Sequence, residues 1–581
     1  MTIRGIGASA GIALGKAFVL PTWEWEISDQ PIDVNDMARE FERLYAGIRS
    51  SKMELKNIKD ELTQVIGQEE SNIFDAHMAI LDDPVFMNEV QGIIRRQYKA
   101  AEAAVKEAIE KFANMFDLLE DQYMKERAMD IKDVGNRLIK HLIGAPEVKL
   151  PDDNQPFVLV AKELTPSQWA NLNPDHVLGV VTMAGGPTSH TAIMARTLGI
   201  PYVLGLEGKL NQPIQTGDFL IIDGETGDLH INPPQNIINR YIQKKQKFDQ
   251  NKEKLKELIG VPAKTADGQT VRLEANINSV KELDIAIRTG ACGVGLFRTE
   301  YIYMDRSQMP SEEEQTQIYR QAVEKLGNKP LTIRTLDIGG DKRPEYLEFP
   351  QEDNPFLGYR AIRISLDQTE LFKTQLRAVL RASRYGKIKL MYPMVSSVDE
   401  VRRANRLLEE AKQELRERNI PFDEQIEVGL TIEVPAAAMI ADALAKEVQF
   451  FSIGTNDLIQ YVLAVDRMNE HIAHMYDPYH PAVLRVLKQI ADAAHQANIG
   501  IAICGEMAGD ARAVPIWLGL GIHELSMAVQ SILPVKERIL STSASVCKEW
   551  IGDLLQCGTS REILERLNEM ESCAAAHRGS A

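Results

Sequence analysis

Eight short apolar runs recur in the second half of the chain, and they restrict its fold more than any other feature. Stretches with the apolar spacing of a helix separate most of them. The runs are Val271–Ala275, Gly293–Leu296, Leu331–Arg334, Ile388–Met391, Val428–Ile432, Phe450–Ile453, Ile499–Ile503 and Glu524–Met527. Such an alternation over about 300 residues predicts a closed (β/α)8 barrel, with a doubly wound open sheet as the competing interpretation.

The first half of the chain has two other patterns. Residues 33–143 carry apolar residues at helical spacing, including one long helical stretch over Ala101–Ile143. Short β-rich runs then follow at Phe157–Ala161, Val177–Thr182 and Phe219–Asp223. They predict a compact α/β domain, which the first residues of the chain complete as a strand.

We therefore predict an α/β multidomain protein with a helical bundle inserted into its first domain. The polar, lysine-rich stretch Asn236–Ile259 predicts a linker helix. The predicted parts are an α/β domain (1–20 and 146–232), a helical insert (21–145), a linker helix (233–261), a (β/α)8 barrel (262–572) and a tail (573–581).

Charge and cysteine content exclude some classes of function. A net charge of −17 disfavours a nucleic-acid partner, since that affinity rests on Lys and Arg, but it permits a basic protein partner. No apolar run approaches the roughly 18 residues that span a bilayer, so no membrane insertion is expected. Five scattered cysteines fit neither a zinc site nor a disulfide framework, which favours the reducing cytoplasm.

One histidine, His190, lies at a predicted helix start. The glycine pair 185–186 allows a tight turn, and Thr188 and Ser189 are favourable N-cap residues. The positive end of a helix stabilises a phosphoryl group, to which the hydroxyls of Thr188, Ser189 and Thr191 can donate hydrogen bonds. Because neutral imidazole is a competent nucleophile, this placement suits a phosphate carrier. A surface histidine beside an ordinary helix cap is the alternative interpretation.

Reactive side chains follow the predicted barrel strands, and barrel active sites lie at the carboxyl ends of strands. These side chains are Arg298, Arg334, Glu433, Asn456, Asp457 and Cys504, and Arg360 and Arg467 could join them. Arginines suit a substrate with phosphate and carboxylate groups, two acidic residues suit Mg2+, and a thiol can move a proton. Taken singly, each residue could instead be a salt-bridge partner, a helix cap or inert core.

At these residues the chain closely resembles enzyme I of the bacterial phosphoenolpyruvate-dependent sugar phosphotransferase system. The resemblance extends from Gly5 to about Met570. Its most specific segments are Gly185–Arg196, Asn354–Arg363, Gly454–Leu458, Ala464–Arg467 and Cys504–Asp510.

The resemblance implies a function and a role for each residue. His190 would accept the phosphoryl group of phosphoenolpyruvate, and Cys504 would protonate the enolate that becomes pyruvate. Phosphoenolpyruvate would be held by Arg298, Arg334, Asn456 and Arg467, and Mg2+ by Glu433 and Asp457. The acceptor would be the carrier protein HPr, docking on the helical insert near Glu69, Asp75 and His77. The family is a cytoplasmic homodimer through its barrel and starts sugar uptake.

The sequence departs from the family at three positions, and two alternatives stay open. Pro187 stands where many members have Arg, and Ile459 and Met468 replace smaller or polar residues. A pyruvate phosphate dikinase or phosphoenolpyruvate synthase would need an ATP-grasp domain, whereas residues 21–145 lack a glycine-rich nucleotide loop. A paralogue that binds the carrier without catalysis is the alternative from another class.

Overall fold

The structure is a computed structural model. It describes residues 2–20, 27–28, 30–65, 73–117, 122–145, 155–165, 168–169, 176–185, 190–210, 212–304, 306, 308–340, 342–344, 346–467, 469 and 471–578. The chain forms two compact units, Met1–Lys252 and Glu253–Ala581. Nowhere in these ranges is a helix long and apolar enough to cross a membrane.

An eight-stranded mixed sheet forms the α/β part of the first unit. Its strands are β1 (Thr2–Arg4), β2 (Ile6–Ser9), β3 (Ile12–Val19), β4 (Phe157–Ala161), β5 (Val177–Thr182), β6 (Tyr202–Leu204), β7 (Phe219–Asp223) and β8 (Asp228–Ile231), in the order β1-β8-β7-β3-β4-β5-β6-β2. The N-terminal strand β3 pairs in parallel with β4 and antiparallel with β7. Every residue of β4 is buried, which explains its unbroken apolar sequence.

Helices form much of the described remainder of the first unit. They are α1 (Met37–Val65), α2 (Ile73–Asp82), α3 (Pro84–Gln97), α4 (Ala101–Asp117), α5 (Gln122–Ile143), α6 (His190–Leu198) and α7 (Gln235–Glu257), whose last turn belongs to the second unit. The single helix predicted over Ala101–Ile143 is wrong, because α4 and α5 are separate helices that pack against each other. Both carry the same kind of apolar stripe, so helical periodicity alone does not reveal where one ends.

The second unit contains the predicted barrel. Its eight parallel strands close in chain order: β9 (Arg272–Ile277), β10 (Val294–Arg298), β11 (Leu331–Arg334), β12 (Ile388–Tyr392), β13 (Glu427–Ile432), β14 (Phe450–Ile453), β15 (Gly500–Ile503) and β16 (Glu524–Met527). The last strand, β16, closes the barrel by pairing with β9: Leu525 pairs with Leu273, and Met527 with Ala275. The barrel prediction is confirmed, and the open sheet is excluded.

Helices surround the barrel and bury one continuous apolar core between themselves and the strands. They are α8 (Glu282–Arg288), α9 (Glu300–Tyr303), α10 (Glu312–Leu326), α11 (Ile362–Asp367), α12 (Thr369–Ser383), α13 (Val398–Glu417), α14 (Pro435–Met439), α15 (Ala441–Leu444), α16 (Thr455–Leu463), α17 (Pro481–Ala497), α18 (Val514–Gly519), α19 (Ile532–Leu540), α20 (Ala544–Gln556) and α21 (Ser560–Arg578). Capping boxes at Ser311 and Ser397 fix where α10 and α13 begin.

Candidate active site

The polar side chains singled out from the sequence meet at the carboxyl end of the barrel. Arg298 and Arg334 are the last residues of β10 and β11, and Glu433 and Cys504 directly follow β13 and β15. Asn456 and Asp457 lie in the first turn of α16, directly after β14. Because the strands are parallel and closed, these ends surround the same mouth of the barrel, which is called the pocket below.

Arg334 is held by two buried carboxylates. Its Nη2 donates to Glu300 Oε1 at 2.6 Å, and its Nη1 lies 3.0 Å from Asp337 Oδ2. Burial lowers the pKa of an arginine, but the charges of Glu300 and Asp337 outweigh it here and raise the pKa of Arg334. The guanidinium is therefore charged and fixed in orientation.

Arg360, which the sequence suggested only as an addition, lies at the centre of the pocket's ion pairs. Its Nε and Nη2 donate to the two oxygens of Asp337 at 2.9 and 3.1 Å. The same Nη2 donates to Asp457 Oδ2 at 3.0 Å. Arg360 is only 4 % exposed, so it joins β11 and α16 through a buried network.

Glu433 and Asp457, the two predicted metal ligands, lie in the same buried region. The backbone N–H of Met394 donates to Glu433 Oε1 at 2.7 Å. Burial, followed by repulsion from Asp457 and Asp337, raises the pKa of Glu433 to about 8. Asp457 Oδ1 is buried and receives no hydrogen bond from any residue in the described ranges.

A glycine makes this approach of carboxylates possible. A Cβ on Gly454 would lie 2.6 Å from Glu433 Oε2 and 2.8 Å from Thr431 Cγ2. Only a residue without a side chain therefore fits the turn between β14 and α16 while Glu433 keeps its position.

Asn456 and Arg467 form the more exposed side of the pocket. The side chain of Asn456 exchanges two hydrogen bonds with Glu506: its Nδ2 donates to Oε1 at 3.2 Å, and its Oδ1 accepts from the backbone N–H at 2.8 Å. Arg467 Nη2 lies 3.5 Å from Asp457 Oδ1, and the Arg467 side chain is 32 % exposed.

Arg298 differs from the other arginines because no described carboxylate lies within ion-pair distance of it. Its one hydrogen bond to a residue that the structure describes runs from Nη1 to Asn278 Oδ1 at 3.3 Å. An arginine that is not neutralised at a pocket wall is available to a bound anion.

Cys504 is a buried thiol, 3 % exposed, whose Sγ lies 3.6 Å from the carbonyl oxygen of Ile453. Burial raises the pKa of Cys504 to about 11, and Glu433, Arg334 and Arg298 are near enough to influence it. The thiol therefore holds its proton at neutral pH and can act as an acid inside the pocket.

Three charged residues of the pocket were assigned no role from the sequence. They are Glu300, Asp337 and Lys342, whose Nζ donates to Glu300 Oε1 at 2.6 Å. Asp337 and Lys342 follow the end of β11, so the strand-end rule could have found them. Glu300 lies two residues beyond Arg298 and has the sequence position of an ordinary acidic residue in the first turn of a helix. Its contacts with Arg334 and Lys342 are therefore visible only in the structure.

The residues predicted to carry the phosphoryl group belong to the first unit. His190 is the first residue of α6, as expected, whereas Gly186, Pro187, Thr188 and Ser189 lie outside the described residues. The expectation that the Thr191 hydroxyl donates to the phosphoryl group is wrong, because this hydroxyl is buried and donates to the Leu164 carbonyl at 2.9 Å.

The predicted docking residues divide into three cases. Asp75 on α2 is exposed and forms an ion pair with Lys59 of α1. His77 is fully buried, with Nε2 3.2 Å from Asp130 Oδ1, so its side chain lies beneath the surface. Glu69 lies outside the described residues, as does Met468 of the barrel.

The carboxylates of the pocket do not form a protein-only metal cage. Across the described ranges, no group of three or more His, Cys, Asp or Glu side chains is arranged to hold an ion. Ile459 of α16, the other departure from the family, is buried in the apolar core of the barrel unit.

Sequence comparisons divide the chain into three matched regions. Residues 4–127 match the pattern of "PEP-utilising enzyme, N-terminal", residues 153–227 that of the "PEP-utilising enzyme, mobile domain", and residues 252–544 that of the "PEP-utilising enzyme, PEP-binding domain".

Full-length relatives are equally informative. The phosphoenolpyruvate-protein phosphotransferase of Staphylococcus carnosus is 43% identical over 570 residues, which cover 98% of each chain. That of Geobacillus stearothermophilus is 43% identical over 573 residues, covering 99% of each. A solved structure of the Enzyme I (nEIt) protein is 37% identical and covers 42% of this chain and 99% of its own, with a TM-score of 0.37.

Proposed function

Because the chain belongs to the PEP-utilising enzymes, and within them to the phosphoenolpyruvate-protein phosphotransferases, we propose how its residues divide this activity. The enzyme transfers the phosphoryl group of phosphoenolpyruvate to a protein. We propose that His190 is the residue that first accepts the group, that the barrel pocket binds phosphoenolpyruvate, and that HPr is the protein that finally receives it.

The balance of charge in the pocket is the observation that carries this proposal. The cations are Arg298, Arg334, Lys342, Arg360 and Arg467, and the carboxylates are Glu300, Asp337, Glu433 and Asp457. The raised pKa of Glu433 leaves this carboxyl largely protonated at neutral pH until a divalent cation binds beside it. With all four carboxylates then ionised, the five cations leave one positive charge. Phosphoenolpyruvate carries about three negative charges at neutral pH, so it fits together with one divalent cation.

The phosphoryl transfer can be written with these groups. The bond between phosphorus and the enol oxygen breaks as a bond from phosphorus to a His190 ring nitrogen forms. Arg298, Arg334, Asn456 and Arg467 hold the anion and stabilise its spreading charge. The enolate left behind takes the proton of the Cys504 thiol on carbon and becomes pyruvate, and solvent reprotonates the thiolate.

Glu433 and Asp457 fit a divalent cation, for which we propose Mg2+. Asp457 Oδ1 is buried without a hydrogen bond, and two carboxylates that repel each other would both gain from a shared positive charge. Mg2+ needs few protein ligands when substrate oxygens complete its shell, so two carboxylates suffice. When bound, it would neutralise charge on the phosphoryl oxygens.

The helical insert is the proposed docking surface for HPr. Asp75 is exposed there, and Glu69 belongs to the same acidic stretch of sequence. His77, being buried between α2 and α5, would support this surface through Asp130 without touching the partner. An acidic surface favours a basic partner by electrostatic attraction.

The transfer also requires a movement between the two units. His190 and the pocket belong to different compact units, so we propose that the α/β domain moves on α7 to serve pocket and acceptor in turn. We further propose a cytoplasmic homodimer, assembled through the barrel, that performs the first step of sugar uptake.

Phosphoenolpyruvate titrations of three full-length proteins test this division. His190→Ala should bind phosphoenolpyruvate like the wild type but transfer nothing, whereas Arg298→Ala should lose at least about tenfold in affinity. Isothermal titration with Mg2+ present measures the affinity of each protein for phosphoenolpyruvate. If His190→Ala loses binding as well, the nucleophile and the binding pocket are not separate.

A further inference from the structure

Glu300 connects two cations that come from different parts of the chain. It begins α9, directly after β10, and its side chain is completely buried. Oε1 accepts from Arg334 Nη2 and from Lys342 Nζ, both at 2.6 Å. One carboxylate oxygen therefore holds the end of β11 and the loop that follows it at the same point.

Glu300, with Asp337 nearby, supplies the negative charge beside these two cations. Like charges repel, and the repulsion is strong where water is excluded. Although burial raises the pKa of Glu300, Arg334 and Lys342 lower it to about 2, so the group is ionised at neutral pH. Its negative charge lies between the two positive ones and offsets their repulsion.

The residue before Glu300 fixes the backbone of the same arginine. Thr299 Oγ1 donates to the carbonyl oxygen of Arg334 at 2.8 Å. Gln375 donates to Thr299 Oγ1 at 3.0 Å and accepts from the N–H of Leu336 at 2.9 Å. Thr299 and Gln375 are both fully buried, so the main chain from the Arg334 carbonyl to the Leu336 N–H is held in place.

The guanidinium of Arg334 is thus fixed at both terminal nitrogens. Glu300 takes Nη2 and Asp337 takes Nη1, while Nε is buried and has no hydrogen-bond partner among the described residues. An N–H left free in a closed pocket is a donor for a substrate oxygen. Lys342, whose side chain is 27 % exposed, is held beside it.

We propose that Glu300 is a positioning residue of the phosphoenolpyruvate pocket, which holds Arg334 and Lys342 together and aims them at the anionic substrate. The inference rests on the proposed role of Arg334 in binding phosphoenolpyruvate. Misplacement of a substrate-holding group by about 1 Å can cost about 100-fold in rate, so Glu300 acts on catalysis without touching substrate.

Glu300→Gln, which keeps size and removes charge, is the test. We expect kcat for phosphoryl transfer from phosphoenolpyruvate to HPr to fall about 100-fold, while the Kd for phosphoenolpyruvate changes less than about threefold. Glu312→Gln is the matched control, because Glu312 also accepts from several arginines of the barrel unit, at 2.8 Å from Arg377 and Arg381, yet lies on the outer helix α10. That variant should keep wild-type kcat.

A second readout needs no turnover. In Glu300→Gln the Lys342 amine loses its carboxylate, so acetylation of Lys342 by acetic anhydride, followed by peptide mass spectrometry, should be faster than in wild type and in Glu312→Gln. This result would support the positioning role even if wild-type protein failed to accept phosphate from phosphoenolpyruvate, which would refute the proposed function instead.

Glu300→Asp guards against a variant that does not fold. It keeps the charge but is one methylene shorter, so it cannot reach both cations, and kcat should still fall about tenfold. Wild-type kcat in Glu300→Asp would overturn the proposal. So would a folded Glu300→Gln with unchanged Lys342 acetylation and unchanged kcat.

Discussion

At the residue scale, burial decides what Cys504 can do. A thiol with a pKa of about 11 is almost entirely protonated at neutral pH, so it can give a proton but seldom takes one. In the proposed forward reaction enolpyruvate needs a proton, which the abundant thiol form of Cys504 would supply. The reverse step, removal of a proton from pyruvate, needs the rare thiolate.

The rare thiolate gives a pH dependence that can be measured. Exchange of pyruvate methyl protons in deuterated water, catalysed by the phosphorylated protein, should rise about tenfold per pH unit from about pH 7 to pH 9. The sign follows because the thiolate fraction grows as pH rises towards the raised pKa of Cys504. NMR of the methyl signal measures the rate.

Two variants define the exchange experiment. Cys504→Ala should abolish the exchange, whereas Cys547→Ala should leave it intact, because Cys547 is equally buried but lies on α20. Exchange that is independent of pH, or that survives in Cys504→Ala, would show that another group carries the proton.

Arg360 and Arg298 should respond differently to removal. Arg360→Ala leaves Asp337 and Asp457 buried with a lost partner, and breaking a buried ion pair costs about 3–5 kcal/mol. Arg298→Ala leaves no carboxylate unpaired and should cost less than about 1 kcal/mol. Urea unfolding of the two proteins gives the free energy of unfolding of the barrel, and equal losses would contradict the described network.

At the element scale, the turn between β14 and α16 depends on Gly454. A Cβ there would push against Glu433 Oε2, so Gly454→Ala should displace this carboxylate. We expect the Mg2+ concentration for half-maximal phosphorylation to rise by about tenfold, since a proposed ligand is moved.

Gly552→Ala is the matched control for this turn. A Cβ on Gly552, in α20, meets no atom within 4 Å, and alanine favours a helix by about 1 kcal/mol over glycine. The control should keep its Mg2+ requirement and gain stability. An unchanged Mg2+ requirement in Gly454→Ala would remove Glu433 from the metal site.

Buried strands were predictable from the sequence, whereas the division between two neighbouring helices was not. β11, β14 and β16 begin and end where their apolar runs do, because buried parallel strands need continuous apolar sequence. The same rule points to the residues that follow each strand, which is why Arg334, Glu433 and Cys504 were found. The division into α4 and α5 was missed, because both helices have the same periodicity.

The pairings within the pocket also lay beyond the sequence. Whether Glu300 is a helix-start acid or the partner of Arg334 depends on the closeness of β10 and β11 in space, and sequence spacing does not record it. The buried state of His77 could not be predicted either, since an apolar neighbourhood on α2 forms only when α5 packs beside it.

At the scale of the whole molecule, the chemistry is divided between two compact units. His190, the proposed nucleophile, begins a helix of the first unit, and the cations, carboxylates and thiol belong to the barrel of the second. A chain built in this way can pass a phosphoryl group to a protein without exposing the substrate pocket to that protein. The net charge of −17 suits an acceptor with a basic surface.

Whether His190 carries the phosphoryl group is tested most directly by the intact mass of the full-length protein after incubation with phosphoenolpyruvate and Mg2+ at neutral to alkaline pH, where phosphohistidine survives. We expect one added phosphoryl group that is acid-labile, absent in His190→Ala and removed by HPr. No added mass, or an added group that persists in His190→Ala, would contradict this expectation.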